Sequence, residues 1–322
     1  MRSVIRDQLR RLWRIGKSTM TSPMVSVIVV IFNMDREARR TLYSLSTAYQ
    51  QDVGADDYEV IVVDNGSVPP FPSDYVATLP GRFRIFHIKD ASPSPASAIN
   101  FGVRRSRGRY VGVMIDGARI VSPGLIRYAL MAFRAFADPV VTALAWHIGP
   151  DVHRRAVLEH GYDKHAEEEL LAQIDWPEDG YRLFEISTLA GSSSRGWFKP
   201  KSESSTLFMS RTRFSRLGGY DERFDSPGGG FVNLDTYIRA CELSDTQLVV
   251  ILGEGSFHQM HGGAMTGASE KESNDKGAEW SAEYERIRGR PIMAPNREAA
   301  YIGHIPKQAL KVLLHSAQRA IE

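Results

Sequence analysis

Three short apolar runs in the first 120 residues each end in a carboxylate or an amide. Val25–Phe32 (VSVIVVIF) runs into Asn33 and Asp35, Tyr58–Val63 (YEVIVV) into Asp64 and Asn65, and Tyr110–Ile115 (YVGVMI) into Asp116 and Gly117. Continuous apolar runs this short, rich in Val and Ile, read as strands buried on both faces. Helical stretches, Arg36–Tyr49 and Ala96–Arg107, separate them, with a further strand at Phe83–Ile88. Strands alternating with helices imply an α/β fold with a mostly parallel, doubly wound sheet flanked by helices. In such a sheet ligands bind outside the carboxyl ends of the strands, where strand order reverses. Asp35, Asp64 and Asp116 are thereby expected around one crevice.

The 322 residues allow two domains, although α/β folds of this length often form one. A net charge of +2 gives no sign of a nucleic-acid partner. The one cysteine, Cys241, reads as a buried thiol in a helix, which fits a cytoplasmic setting. No apolar run approaches the roughly 18–20 residues of a spanning helix, and the start lacks a signal-peptide pattern. Residues 1–24 read as a basic amphipathic leader. Ile5, Leu9, Leu12 and Trp13 recur at helical spacing among Arg2, Arg6, Arg10, Arg11, Arg14 and Lys17. Such a helix either lies on an anionic membrane surface, here through residues 1–20 at the inner face, or packs on the body. Ile305–Ile321 repeats the pattern.

The second half is less regular. A helix is expected at Ser122–Phe136 and a strand at Val140–Trp146. An irregular insertion follows over residues 147–204, with an acidic helix at Asp163–Ile174. Its aromatics Trp176, Tyr181, Trp197 and Phe198 either form platforms for an acceptor sugar or cover the edge of the core. A strand at Ser205–Ser210, a loop at Asp221–Gly230, a helix at about Phe231–Leu243 and a strand at Gln247–Leu252 come next. Phe257-His258-Gln-Met-His261-Gly-Gly then follows that strand.

Several of these residues can carry chemistry. Asp116 can hold a divalent cation, since Mg²⁺ and Mn²⁺ take one or two protein carboxylates and fill the shell with phosphate oxygens and water; it can equally cap the next turn. His258 and His261 can add an imidazole, or remain ordinary loop histidines. Asp64 can accept from a base or ribose, or stabilise its own turn. Asp235 and Arg239, four apart on a helix, form either a surface pair or an acid facing the crevice. Glu203 is a second candidate acid. The first strand is followed by no G-x-G-x-x-G, and the chain has no Walker motif.

The segments VSVIVVIFN, VIVVDNGS, INFGVRRSRGRYVGVMIDGA, FMSRTRFSRLGGYDERF, LDTYIRA and FHQMHGG, in this order, resemble family 2 glycosyltransferases of the GT-A fold. The resemblance implies a catalytic domain over residues 25–265. Residues 25–120 would be its nucleotide-binding half, residues 121–265 an acceptor half with an irregular acceptor-side insertion, and residues 266–322 a helical extension. It implies sugar transfer, usually inverting, from a nucleotide-diphosphate sugar to a saccharide or glycolipid acceptor, with Mn²⁺ or Mg²⁺ as cofactor. Asp35 and Asp64 would hold the nucleoside, within a donor set of Phe32, Asn33, Asp35, Asp64, Asn65 and Asp116. Asp116 matches the first acid of the family's Asp-x-Asp metal motif and His258 its late metal-binding histidine. Two departures stand out. The second acid of the metal motif is absent, the run being Asp116-Gly117-Ala118, and the usual general base aligns with Asn233, whose amide has no titrating site. Asp235 is then expected as the catalytic base, Glu203 in second place, with a catalytically impaired nucleotide-sugar or glycan binding protein as the alternative. A nucleotidyltransferase of the same topology ranks last, because Asn-Met-Asp-Arg-Glu stands where a basic phosphate loop would be.

Overall fold

The computed structural model describes residues 23–200, 205–262 and 269–322. The leader helix expected within residues 1–22 and the candidate acid Glu203 lie outside the described residues.

The apolar runs form the middle of the sheet. Strand β1 (Val25–Ile31) and strand β2 (Tyr58–Asp64) are buried at all seven positions, and β4 (Tyr110–Met114) at all five. The other strands are β3 (Phe83–His87), β5 (Arg119–Val121), β6 (Val140–Ile148), β7 (Ser187–Leu189), β8 (Thr206–Ser210), β9 (Leu248–His258) and β10 (Ala299–Gly303). Along the sheet the order is β10-β9-β6-β8-β4-β1-β2-β3, with β5 added to β9 and β7 to β6. Pairings among β3, β2, β1 and β4, and among β10, β9 and β6, are parallel, while β8 runs antiparallel between the two blocks. The order reverses beside β1, between β2 and β4, so the expected switch point lies at the ends of those strands.

Helices cover both faces. They are α1 (Asp35–Ser44), α2 (Ser73–Thr78), α3 (Ala96–Arg105), α4 (Leu125–Ala135), α5 (His153–His160), α6 (Lys164–Ile174), α7 (Arg211–Arg216), α8 (Val232–Glu242), α9 (Glu270–Arg288) and α10 (Leu310–Ile321). Helices α1 and α4 seat Leu42, Ile126 and Leu130 against Val27, Val29 and Val60 in one apolar cluster. Helix α3 seats Ile99 and Val103 on the opposite face, against Ile28, Ile61 and Val63. Gly102 permits that approach, since a Cβ there would stand 2.6 Å from Ile28 Cγ2.

Several boundaries differ from the sequence reading. Helix α1 stops at Ser44, not Tyr49, and Tyr49 turns into a third cluster with Trp146, Trp176 and Leu183. Strand β9 does not end at Leu252 but continues to His258. Gly253 carries it through, at φ 73° and so close to His304 that an added Cβ would lie 1.9 Å from that carbonyl oxygen. The C-terminal segment is helical in α9 and α10, and between them β10 adds an edge strand beside β9. Helix α10 docks Val312 and Leu313 on the third cluster and leaves Leu314 and Ile321 exposed. Among the described residues no helix is long and apolar enough to cross a membrane.

Candidate active site

The ends of β1 and β2 are joined by reciprocal hydrogen bonds. Asn33, in the left-handed region at φ 50°, donates its amide to Ser67 Oγ at 3.0 Å. Its Oδ1 accepts from the Val68 amide at 2.9 Å. Between the two ends lies a pocket lined by Ile31, Asn33, Met34, Asp35 and the Ser67–Pro72 segment. Phe32 is exposed beside it. Asp35 opens α1 and pairs with Arg39 at 2.9 Å.

Asp64 is committed to its own turn. Its Oδ1 accepts from the Ser67 amide at 2.9 Å and its Oδ2 from the Phe71 amide at 2.8 Å, with His87 Nδ1 at 3.0 Å. Burial alone would raise its pKa. Hydrogen bonds from Ser67, Phe71 and His87 outweigh it and hold the carboxyl below the usual range. Asp64 therefore shapes the pocket wall. Asn65 donates its Nδ2 to Ser92 O at 2.9 Å.

Asp116 follows β4 at the switch point. Its Oδ1 accepts from the Ala118 amide at 3.0 Å and its Oδ2 from Arg119 Nε at 2.9 Å. The turn it begins adjoins the pocket, because a Cβ on Gly117 would stand 2.9 Å from Ile31 Cγ1 and 3.2 Å from Met34 Sδ. His258 brings its Nε2 to 3.9 Å from Asp116 Oδ1 and to 2.9 Å from His261 Nε2. One ligand atom from each of Asp116, His258 and His261 lies within 4.8 Å of the other two. Adjacent ligands of an octahedral ion at about 2.1 Å lie about 3 Å apart, close to the spacing of the two imidazole nitrogens. The set fits a divalent ion, with Arg119 still on the second oxygen of Asp116.

The turn bearing these histidines is fixed from three sides. The Gln259 amide donates to Ala118 O at 2.8 Å, and its side chain to Glu37 O at 3.0 Å. The Met260 amide donates to Glu167 of α6. Arg36 reaches Met260 O at 2.8 Å and Glu167 Oε1 at 2.9 Å. Burial pushes the Glu167 carboxyl up to about 7, against the Met260 amide, Arg36 and Arg40. His258 is driven well below the ordinary histidine value by burial first, then by Arg119 and the neighbouring imidazoles. It is therefore neutral at pH 7, as a ligand must be.

Two members of this neighbourhood escaped the sequence reading. In the parallel β6–β9 register His147 pairs with His258, and His153, at the start of α5, lies over both. Two histidines six apart just after a predicted strand were the available signal.

Asp235, the expected proton acceptor, is held in an arginine cluster. It is fully buried on α8. Its Oδ2 accepts from Arg239 Nε and from Arg288 Nη2, each at 2.7 Å, and its Oδ1 accepts from Arg288 Nε. Arg288 also reaches Asp221 at 2.8 Å. Enclosed by two guanidiniums and with no exposed surface, this carboxylate ties α9 to α8. Asn233, the second residue of α8, is buried. The insertion's aromatics cover the core. Trp176 packs edge to face on Tyr43 and Tyr49, Trp197 is fully buried, and the Tyr181 hydroxyl donates to Glu254 at 2.8 Å.

Comparison with known proteins gives a consistent family. The pattern of Glycosyl transferase family 2 matches residues 26–188. A validoxylamine A glucosyltransferase of Streptomyces hygroscopicus subsp. limoneus is 28% identical over an alignment of 242 residues that covers 68% of this chain and 48% of that protein. The chain thus spans about half the length of the curated relatives it matches. Among solved structures, the mannosyltransferase PcManGT from Pyrobaculum calidifontis, in complex with GDP-Man and Mn²⁺, is 15% identical with a TM-score of 0.48. That match covers 98% of this chain and 76% of the other. S. aureus TarS 1–349 in complex with UDP-GlcNAc is 14% identical with a TM-score of 0.46, covering 92% and 72%.

Proposed function

The chain belongs to glycosyl transferase family 2, and from that premise we propose that it transfers a sugar from a nucleotide-diphosphate donor to a hydroxyl of a saccharide or glycolipid acceptor, with inversion. The observation that carries the reading is the convergence of Asp116, His258 and His261 at the switch point, beside the pocket between Asn33 and Pro72. The nucleoside would occupy that pocket, with Asp35 at its rim and Asp64 holding its wall. Asp116, His258 and His261 would hold a divalent ion against the diphosphate. Such an ion offsets charge developing on a leaving phosphate oxygen, an effect of roughly several kcal/mol.

In the transfer, the bond from the anomeric carbon to the diphosphate oxygen breaks and the acceptor oxygen takes its place. The hydroxyl proton passes to a carboxylate on the opposite face, a step typically worth about 10²–10⁴-fold. With Asp235 enclosed by arginines, we assign that proton to Glu203, which precedes β8. The domain limits at residues 25–265, and contact of residues 1–20 with the inner face of a membrane, belong to the same proposal.

Asn233 and the enclosed Asp235 favour a second reading, in which the chain binds nucleotide sugar without turning it over. Release of nucleoside diphosphate from UDP-, GDP-, dTDP- and CDP-sugars, over a panel of acceptors, separates the two. The transferase reading requires release that falls at least about 10²-fold in Glu203→Gln. Donor binding without release in any combination supports the second.

A further inference from the structure

We propose that His147, His153 and His258 form a second cation site, for a borderline transition ion such as Zn²⁺, Co²⁺ or Ni²⁺, which competes with the Asp116 site for His258. The binding claim does not depend on the transferase reading.

The site is built by sheet register and by one helix start. β6 and β9 are parallel neighbours, and His147 and His258 pair directly, so their side chains emerge on one face. His153 is the first residue of α5 and is 3% exposed. Ring centroids lie 4.4 Å apart for His147 and His153, 5.1 Å for His153 and His258, and 5.3 Å for His147 and His258. One ring nitrogen of each lies within 4.8 Å of the other two. Tetrahedral ligands at 2.0–2.1 Å stand about 3.4 Å apart, a spacing that modest ring rotation reaches.

The hydrogen bonding leaves lone pairs for such an ion. His153 Nε2 faces the Ile148 carbonyl at 3.2 Å and so carries the proton, which leaves the lone pair on Nδ1. That Nδ1 is buried and has no hydrogen-bond partner. A ring N–H donated to a backbone carbonyl is the usual support of a ligating histidine. His147 Nδ1 carries its ring's lone pair and accepts a long 3.4 Å contact from the His153 amide, a contact that an ion bound there would replace. His258 Nδ1 is again buried without a partner, while Nε2 is engaged with His261. Arg119 faces the cluster from β5, but Asp116 holds it in an ion pair at 2.9 Å.

Three imidazoles and no carboxylate select a borderline ion over Mg²⁺ or Ca²⁺, which take oxygen ligands. A neutral imidazole offers one lone pair. When His258 binds through Nδ1, its Nε2 carries the proton and is lost to the Asp116 site. The two sites therefore exclude each other.

The test is titration of the metal-stripped full chain with Co²⁺, read by its visible ligand-field bands, and with Zn²⁺ against a chromogenic chelator. Near-ultraviolet circular dichroism checks the fold of each variant. One equivalent is expected to bind to the wild type and to Asp116→Asn/His261→Ala with similar affinity. Affinity should fall at least about tenfold in His153→Ala and, independently, in the milder His147→Gln. A large excess of Mg²⁺ should not displace the ion from Asp116→Asn/His261→Ala. Unchanged binding in both His147→Gln and His153→Ala would overturn the site. So would loss of all binding in Asp116→Asn/His261→Ala, displacement by Mg²⁺, or no Co²⁺ binding at all.

Discussion

Removing the Arg288 guanidinium tests whether Asp235 is a structural anion. Arg288 makes two of the three arginine contacts to that carboxylate and is the one that reaches Oδ1. In Arg288→Met, Oδ1 loses its guanidinium donor at a fully buried position, and Arg239 keeps only Oδ2. Breaking a buried ion pair by removing one partner costs about 3–5 kcal/mol when the remaining charge is left uncompensated, and with Arg239 still on Oδ2 the loss should lie toward the lower end. The side chain of Arg288 is only 15% exposed, so solvent offers little relief. Asp235→Leu should also destabilise, by leaving Arg288 and Arg239 facing each other. The double variant Asp235→Leu/Arg288→Met removes both charges and should be more stable than the sum of the single losses predicts. Urea unfolding with unchanged m-values measures all three. A loss below about 1 kcal/mol in Arg288→Met, or strict additivity in the double variant, would refute the reasoning.

Other outcomes follow from the same geometry. Gly253→Ala should destabilise by more than about 2 kcal/mol, since a left-handed alanine alone costs about 1–2 kcal/mol and its Cβ meets the His304 backbone; a loss under 1 kcal/mol in chemical unfolding speaks against it. Glu254 is buried and accepts from Tyr181 and the Gly124 amide, and burial pushes its pKa up to about 7 from 4.5 despite hydrogen bonds from Ser122, Tyr181 and Gly124. Its folded form binds the proton more tightly than its unfolded form, so stability is greatest below about pH 4.5 for this group and falls as pH rises through 7. In Glu254→Gln that decline should shrink, by on the order of 3 kcal/mol at most between pH 5 and 8; an unchanged pH profile of the melting temperature contradicts it. Asp116→Asn should fold normally, yet lose metal-dependent stabilisation by nucleotide.

The central strands were legible because their physics is local. A run such as VSVIVVI has no polar face, so only a position buried on both sides of a sheet suits it. Short edge pieces carry no such pattern. β5 and β7 have three residues each, and β10 is only half-buried, so tertiary contacts decide them. The end of β9 was misread because Gly253-Glu254-Gly255 looks like a turn, whereas Gly253 only redirects a strand that still pairs with β6 and β5. Asp116 drew notice by its place after a strand, and His258 and His261 by their place late in the chain beside Gly262-Gly263; the structure brings the three together. His147 and His153 were not legible, since strand register brings His147 to His258 and the start of α5 lays His153 over both. Asp235 kept its helix position, but Arg288 arrives from α9, and no local sequence tells that a carboxylate will be enclosed from so far away.

Nucleotide binding reports on the donor site at the switch point. The melting temperature of the full chain should be measured with UDP, GDP, dTDP and CDP, with and without Mn²⁺, for the wild type and Asp116→Ala. A ligand at a hundred times its dissociation constant stabilises the native state by about 2.7 kcal/mol. One nucleotide should raise the melting temperature of the wild type only with Mn²⁺, and Asp116→Ala should abolish the rise. No rise with any nucleotide in well-folded wild type, or an undiminished rise in Asp116→Ala, would contradict it.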